Sequence, residues 1–282
     1  MLLKLGLFSI FTTAVALMSG CAAQYPPSTK SLLLAPLSVL SQQLEETSGL
    51  YCTDDGLFTI NDSGNEATVF ELDYGARVKQ IHTLALQNLD WEAITGDDNF
   101  LYIADIGNNK GKRENLAIHK VSRRHYDEIS SVSVQYQGNT PSDNFPYAHD
   151  FDAEAMVLAE GKLLIFSKSW RTGIANVYEV GSETLQILTP IAQIAGLPGV
   201  ITGADFDEMR NLYVVVGYKS DPFGNFSTFL AQLDTSFTPI EVWPLDEYKQ
   251  VEGICVDKQG DYWFSEEATD LRKASLTRAT IK

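Results

Sequence analysis

Residues 90–109 read DWEAITGDDNFLYIADIGNN, and the order of their parts is acid, strand, turn, strand, acid, tight turn. Glu92 opens a short strand over Ala93 to Thr95, and Gly96 to Asn99 is a polar turn. Phe100 to Ala104 is a second strand, rich in aromatic and aliphatic residues, closed by Asp105 and the turn Ile106-Gly107-Asn108-Asn109. An antiparallel hairpin brings the start of its first strand and the end of its second to one edge of the sheet. Glu92 and Asp105 are therefore expected at the same edge.

The arrangement recurs along the chain. Upstream, Ser48-Gly49-Leu50-Tyr51 leads through a turn at Thr53 to Gly56 into LFTIND, ending at Asp62. Downstream, Glu154-Ala155-Met156-Val157 leads into LLIFSK, ending at Lys168; Gly203-Ala204-Asp205-Phe206 leads into LYVVVGYK; Glu252-Gly253-Ile254-Cys255 leads into YWFSEE. The hairpins start at 48, 92, 154, 203 and 252, in steps of 44, 62, 49 and 49 residues. A period of roughly 40–50 residues with four short strands marks a β-propeller blade.

Counting hairpins gives an all-β propeller of five blades; a sixth blade, the alternative, would need another such hairpin. Outer strands are expected near 67–72 and 77–84 in blade one, 116–121 and 131–137 in blade two, 175–180 and 185–194 in blade three, and 228–233 and 239–245 in blade four. After Glu267 only enough chain remains for one more strand. An open edge on the last blade is a liability. The apolar stretch Ser31 to Leu40 is expected to complete that blade and close the ring. Asn139 to Asp152 (NTPSDNFPYAHDFD) is a polar and aromatic insertion that accounts for the long step. Trp91, Trp170, Trp243 and Trp263 are expected between blades.

The chain has 282 residues, 44% hydrophobic and 11% aromatic, ample for one closed all-β domain. The formal net charge of −16 disfavours nucleic acid, whose phosphates need a basic surface. It favours cations or basic partners, or serves solubility alone.

The N-terminus carries a targeting segment, with Lys4 followed by an apolar run from Leu5 to Leu17. A run of thirteen residues is too short to span a bilayer comfortably. Met18-Ser19-Gly20-Cys21 resembles a bacterial lipoprotein signal. The resemblance implies cleavage before Cys21, lipid on Cys21, and attachment to a cell-envelope membrane on its extracytoplasmic or periplasmic side. Ordinary cleavage after Ala23 is the alternative, and the mature protein is exported either way. The expected division is signal peptide 1–20, tether 21–30 and propeller 31–282.

In a propeller the first strand of each blade lines the central channel. One channel face should then collect Glu92, Glu154, Glu252, Asp62, Asp105 and Glu266, with Asp90 and Asp152 just ahead of two of the strands. Lys168 holds the matching place in blade three, and Thr202 and Asp205 are the nearest polar groups in blade four. Carboxylates around one axis repel unless a cation or donor sits among them. Oxygen ligands suit Ca²⁺ or Mg²⁺, so Glu92, Glu154 and Glu252 are candidate ligands of Ca²⁺ and candidate acid–base groups. Asp62, Asn65, Asp105, Asn108, Arg113, Lys168, Asp205 and Glu266 are candidates to bind a ligand. A structural role, accepting backbone N–H groups between blades, fits the glutamates equally well. No zinc spacing, Gly-x-Ser-x-Gly elbow or phosphate loop occurs.

Asp62-Ser63-Gly64-Asn65, Asp90-Trp91-Glu92-Ala93, Asp105-Ile106-Gly107-Asn108-Asn109 with Arg113, Asp152-Ala153-Glu154-Ala155, Thr202-Gly203-Ala204-Asp205 and Glu252-Gly253 resemble bacterial envelope propellers. They are similar to the SdiA-regulated and phytase-like groups, and more distantly to the gluconolactonase–regucalcin type. The resemblance runs from about Glu46 to Glu267 and implies a propeller with a channel cation. Two readings of function follow. One is an envelope lipoprotein that binds a small molecule, cation or protein over the acidic face. The other is a metal-dependent hydrolase of a phosphoester or lactone.

Cys52 and Cys255 fall in the first strands of blades one and five, which are neighbours in a closed five-bladed ring. Aligning Ser48 with Glu252 leaves the cysteines offset by one residue, which turns them to opposite sheet faces as a contact requires. Proximity is expected; a disulfide and two buried thiols both remain open.

Overall fold

The structure is a computed structural model that describes residues 28–221 and 224–282. The signal segment and Cys21 lie outside the described residues. What is described is all-β apart from one 3-10 turn, Gln42–Leu44. Among the described residues no helix is long and apolar enough to cross a membrane.

Five antiparallel sheets form five blades in chain order. Blade one comprises Thr47–Thr53, Gly56–Asn61, Thr68–Leu72 and Val78–Thr83. Blade two comprises Trp91–Gly96, Phe100–Asp105, Leu116–Ser122 and Ile129–Tyr136. Blade three comprises Ala153–Ala159, Lys162–Ser167, Ala175–Val180 and Ala192–Ile194. Blade four comprises Val200–Asp207, Leu212–Ser220, Phe226–Leu233 and Pro239–Pro244. Blade five comprises Val251–Val256, Tyr262–Glu266 and Ser275–Ile281.

The N-terminal stretch closes blade five, as its missing edge requires. Leu32–Leu34 and Ser38–Val39 both run antiparallel to Ser275–Ile281, pairing Leu32 with Ile281 and Val39 with Ser275. The described chain is docked already at residue 28. The Ser28 and Thr29 hydroxyls bond to Glu241 of blade four, and Lys30 O accepts from Trp243 Nε1 at 2.8 Å.

The core is not one mass but five clusters, one at each blade interface. Trp91, Ile94 and Val69 fill the space between blades one and two, and Met156, Ala93 and Ile165 that between two and three. Val157, Val215 and Phe229 lie between three and four, Val214, Trp243 and Phe264 between four and five, and Leu57, Trp263 and Cys255 between five and one. Three of the four tryptophans are thus inter-blade core. Trp170 is not; it stands over the channel mouth.

Two further details differ from the sequence reading. The stretch 185–194 is not one outer strand. Leu185–Leu188 leaves blade three and adds to blade two, parallel to Ile129–Tyr136, while Ala192–Ile194 finishes blade three. Thr189-Pro190 separates the two, since proline has no N–H for the ladder. The second difference concerns the cysteines. Cys52 and Cys255 are joined, with Cα atoms 5.4 Å apart, but the one-residue offset is absent. Cys52 pairs with Leu57 and Cys255 with Trp263, equivalent places in their hairpins. First strands crowd together near the axis, so their Cα atoms come within bridging range without that offset.

Candidate functional site

Each first strand carries a bulge at its second or third residue. The ladder skips Gly49, Glu92, Glu154, Thr202 and Glu252 in blades one to five. A bulge leaves one residue unpaired and re-aims its side chain. Here it places three glutamates, all buried, at one mouth of the channel. Blade one has glycine there for a local reason. Gly49 has a left-handed φ of +65°, and a Cβ on it would stand 2.7 Å from Ile94 N. Blade one supplies its carboxylate from Asp62 instead. In blade four Thr202 donates to Val251 O, a link between blades.

The second strands add a further tier. Counting from the residue paired just ahead of each bulge, the next positions are Asn61, Ile106, Lys168, Tyr218 and Glu267. Lys168 is 4% exposed and forms an ion pair with Glu154 Oε1. Its Nζ donates to Tyr218 Oη at 3.2 Å and lies 4.8 Å from the Trp170 ring. Trp170 is held in turn by Nε1–H donation to Asp152 Oδ2 at 2.7 Å. Tyr147 of the insertion meets the Trp170 ring edge-on at 5.2 Å. The insertion is pinned to the Asp105–Asn109 turn by Tyr147 N donating to Asn109 O at 2.9 Å.

Asp105 and Glu266 sit one residue earlier in the same register, so alternation turns them away from the mouth. They clamp the loops ahead of the first strands. Asp105 accepts from Leu89 N, Asp90 N and Arg113, and Glu266 accepts from Lys249 N at 2.8 Å. Arg113 is committed to Asp105 and to Gly107 O, at 2.6 Å for the latter. Asn108 ties blade two to the insertion through Phe151 O and the Arg113 backbone. Asn65 bonds to Glu46 and to Asp62 O. Asp205 lies at the opposite end of the channel. It is three residues beyond the bulge and accepts from Phe206 N and Val256 N at 2.8 and 2.7 Å. There it lines a wide cavity of about 810 Å³ with Tyr51, Asp97, Glu208 and Asp257. Between the two mouths the channel narrows, among Gly49, Ala93, Ala155 and Gly203, to a void of about 10 Å³. That is about the space of one water molecule.

The structure thus brings together Asp62, Asp90, Glu92, Glu154, Glu252, Glu267 and Lys168. Asp62, Asp90 and Glu92 form the tightest group, with one oxygen of each within 4.8 Å of the others. Glu154 and Glu252 group instead around Lys168 and Tyr218. The sequence reading missed Tyr218 and Glu267; extending the register of Lys168 to the other blades finds both.

Burial dominates the electrostatics. It pushes the Glu92 carboxyl well above the carboxylate range, and the charges of Glu154, Asp62 and Asp90 add to it. Burial likewise raises Glu252 to about 8, opposed by Lys168 and helped by Glu267. Glu267 rises to about 8 and Asp90 to about 6 through burial and the nearby Asp62. Lys168 is held above its usual value because Glu154 and its neighbours outweigh the cost of burying it. It remains an ammonium.

No family model matches the chain, and no curated protein does. Solved structures do. The chain is similar to the catalytic domain of a GH62 α-L-arabinofuranosidase from Coprinopsis cinerea, with TM-score 0.56 and 8% identity over 90% of this chain and 98% of that one. It is similar to a glucose dehydrogenase, with TM-score 0.52 and 9% identity over 86% and 99% of the two chains. A bifunctional GH43-CE protein of Bacteroides eggerthii matches with TM-score 0.54 and 7% identity, over 85% of this chain and 34% of that one. At these identities the likeness is one of fold, and fold does not carry activity. The chain is a five-bladed β-propeller with a carboxylate-rich mouth.

Proposed function

We propose that this protein is a cell-envelope lipoprotein, held to the membrane by lipid on Cys21, whose propeller takes a positively charged ligand into the acidic mouth. The supporting observation is the charge balance there. Glu92, Glu154 and Glu252 are buried, Asp62, Asp90 and Glu267 are partly buried beside them, and Lys168 is the ammonium among them. Among the described residues Glu154 Oε2 has no hydrogen-bond partner. Buried carboxylates without counter-charge cost several kcal/mol each unless they take up protons or a cation. A cationic ligand supplies that charge, and an anionic one is repelled.

Thermal shift against spermidine, a lysine-rich peptide and divalent cations at low salt tests the reading. A rise in melting temperature with a cationic probe, reduced in Glu252→Gln, is expected. No rise with any of them overturns it. Anchoring is checked by fractionation: the protein sediments with membranes, and Cys21→Ser releases it.

A second reading is metal-dependent hydrolysis of a phosphoester or lactone. The observation in its favour is that Glu252 and Glu267 hold protons up to about pH 8 beside carboxylates of lower pKa, the separation that acid–base chemistry uses. Turnover of p-nitrophenyl phosphate or a δ-lactone, abolished in a folded Glu252→Gln variant, would establish it; no turnover removes it.

A further inference from the structure

We infer that Asp62, Asp90 and Glu92 form a binding site for a hard divalent cation of the Ca²⁺ class, seated between blades one and two. The inference deepens the reading of the mouth as cation-taking and rests on it. It moves the site off the axis, away from Glu154 and Glu252.

Three observations carry it. The first is geometric. One oxygen from each residue lies within 4.8 Å of the other two. Two oxygens on one Ca²⁺, at about 2.3–2.6 Å each, can stand at most about 5 Å apart. The second is that Glu92 is 8% exposed, and among the described residues its carboxylate has no hydrogen bond and no ion pair. Among the described residues neither nearby cation forms an ion pair with Glu92. Arg113 stands 3.9 Å from Asp90 Oδ2 but is bound to Asp105 and Gly107 O, and Lys168 is paired with Glu154. The third is a notch left open for the carboxylates. A Cβ on residue 107 would stand 2.2 Å from Glu92 Oε1 and 2.6 Å from Asp90 Oδ2. Gly107 has no left-handed φ to explain it, so space is the reason for glycine.

The donor chemistry fixes the ligand class. All three donors are carboxylate oxygens, with no histidine or thiolate in the group. Such a set selects Ca²⁺, Mg²⁺ or Mn²⁺ over zinc or copper. Asp62 and Asp90 are partly exposed, which leaves room for the waters that complete a flexible, oxygen-rich shell. Ca²⁺ tolerates that better than Mg²⁺, which demands a near-ideal octahedron.

The test is titration calorimetry of the full chain, stripped with chelator, against CaCl₂ and MgCl₂. One Ca²⁺ per chain is expected, bound more tightly than Mg²⁺. Asp62→Asn and Glu92→Gln should each weaken Ca²⁺ by roughly tenfold or more, because affinity follows ligand charge. Asp205→Asn, at the opposite mouth, should bind as the parent does. Without cation, Glu92→Gln should melt no lower than the parent, since it removes an uncompensated buried carboxyl; a purely structural glutamate would melt lower. No Ca²⁺ uptake, or uptake unchanged in Asp62→Asn and Glu92→Gln, overturns the inference. If spermidine still raises the melting temperature then, the cationic-ligand reading survives; if no cationic probe does, both fall.

Discussion

Glu92 Oε1 lies 2.2 Å from the place a Cβ on residue 107 would occupy, so the glutamate and Gly107 share one volume. Gly107→Ala must displace the carboxylate or the turn behind it. Overpacking of this kind costs about 1–3 kcal/mol. Truncating Glu92 to alanine in the same chain removes one of the two clashes and should recover part of that loss, because Asp90 Oδ2 still stands 2.6 Å from the new Cβ. Urea unfolding of the two single variants and the double variant measures the coupling. Purely additive costs would mean the two residues do not compete for space.

Lys168 holds the other half of the mouth together. Its ammonium is buried against Glu154, with Tyr218 and Trp170 around it. Lys168→Met leaves Glu154 without a partner, and breaking one side of a buried pair costs about 3–5 kcal/mol. Glu154→Gln in the same chain should restore part of it. Denaturant unfolding at pH 8 gives the comparison, and a Lys168→Met variant as stable there as the parent would refute this account of the mouth.

The ring was legible in the sequence because its unit is local. A hairpin of two short apolar strands joined by a polar turn can be recognised five times without tertiary knowledge, three times with a glutamate at its start. Closure by residues 31–40 followed from the strand that blade five lacks. The finer placement was hidden by the bulges. One unpaired residue at Gly49, Glu92, Glu154, Thr202 and Glu252 slips the register by one, and a one-residue slip exchanges the two faces. That slip makes Asp105 and Glu266 loop clamps rather than mouth residues and brings in Tyr218 and Glu267; the cysteine offset is absent because Gly49, not Ser48, is the equivalent of Glu252. The parallel addition of Leu185–Leu188 to blade two is a long-range pairing, and nothing local in that segment specifies it.

The Cys52–Cys255 bridge joins blades one and five across a sequence separation of 203 residues. The same junction is closed by Leu32–Leu34 and Ser38–Val39 on blade five, so the ring has two independent fasteners. A native disulfide typically contributes about 2–4 kcal/mol, chiefly by restricting the unfolded chain. Cys52→Ser with Cys255→Ser should therefore fold to the same ring and melt roughly 5–15 °C lower. Scanning calorimetry of the double variant, with the parent under reducing conditions as a second comparison, checks this. An unchanged melting temperature in both would show that the strand closure alone sets the stability.

Stability should fall as pH rises from 6.5 to 9. The sign follows from the buried carboxyls. A group whose folded pKa is raised holds its proton more tightly in the native state. Its stabilising contribution is complete below the ordinary carboxyl range and is lost as pH rises through the raised value. Glu252 and Glu267, both at about 8, spread that loss from the ordinary carboxyl range up to about pH 8, where it levels off, and Asp205, at about 7, contributes up to about pH 7. Burial is the first cause in all three. Lys168 keeps its charge throughout, because its pKa is raised above a value already beyond this window. Asp73, Asp234 and Glu241 have lowered values, and their contributions are lost only in acid. His82 and His119 are held neutral by burial and destabilise the fold when forced to charge. They act below about pH 6.5, which sets the lower bound of the window. Calorimetric melting at half-unit steps should show a fall of several degrees from pH 6.5 to 9. Glu252→Gln with Glu267→Gln should flatten most of the fall between pH 6.5 and 8. Saturating Ca²⁺ should raise the melting temperature most at the alkaline end, because the cation binds the ionised carboxylates. A melting temperature that stays level or climbs over this range would contradict the assignment of protons to these two glutamates.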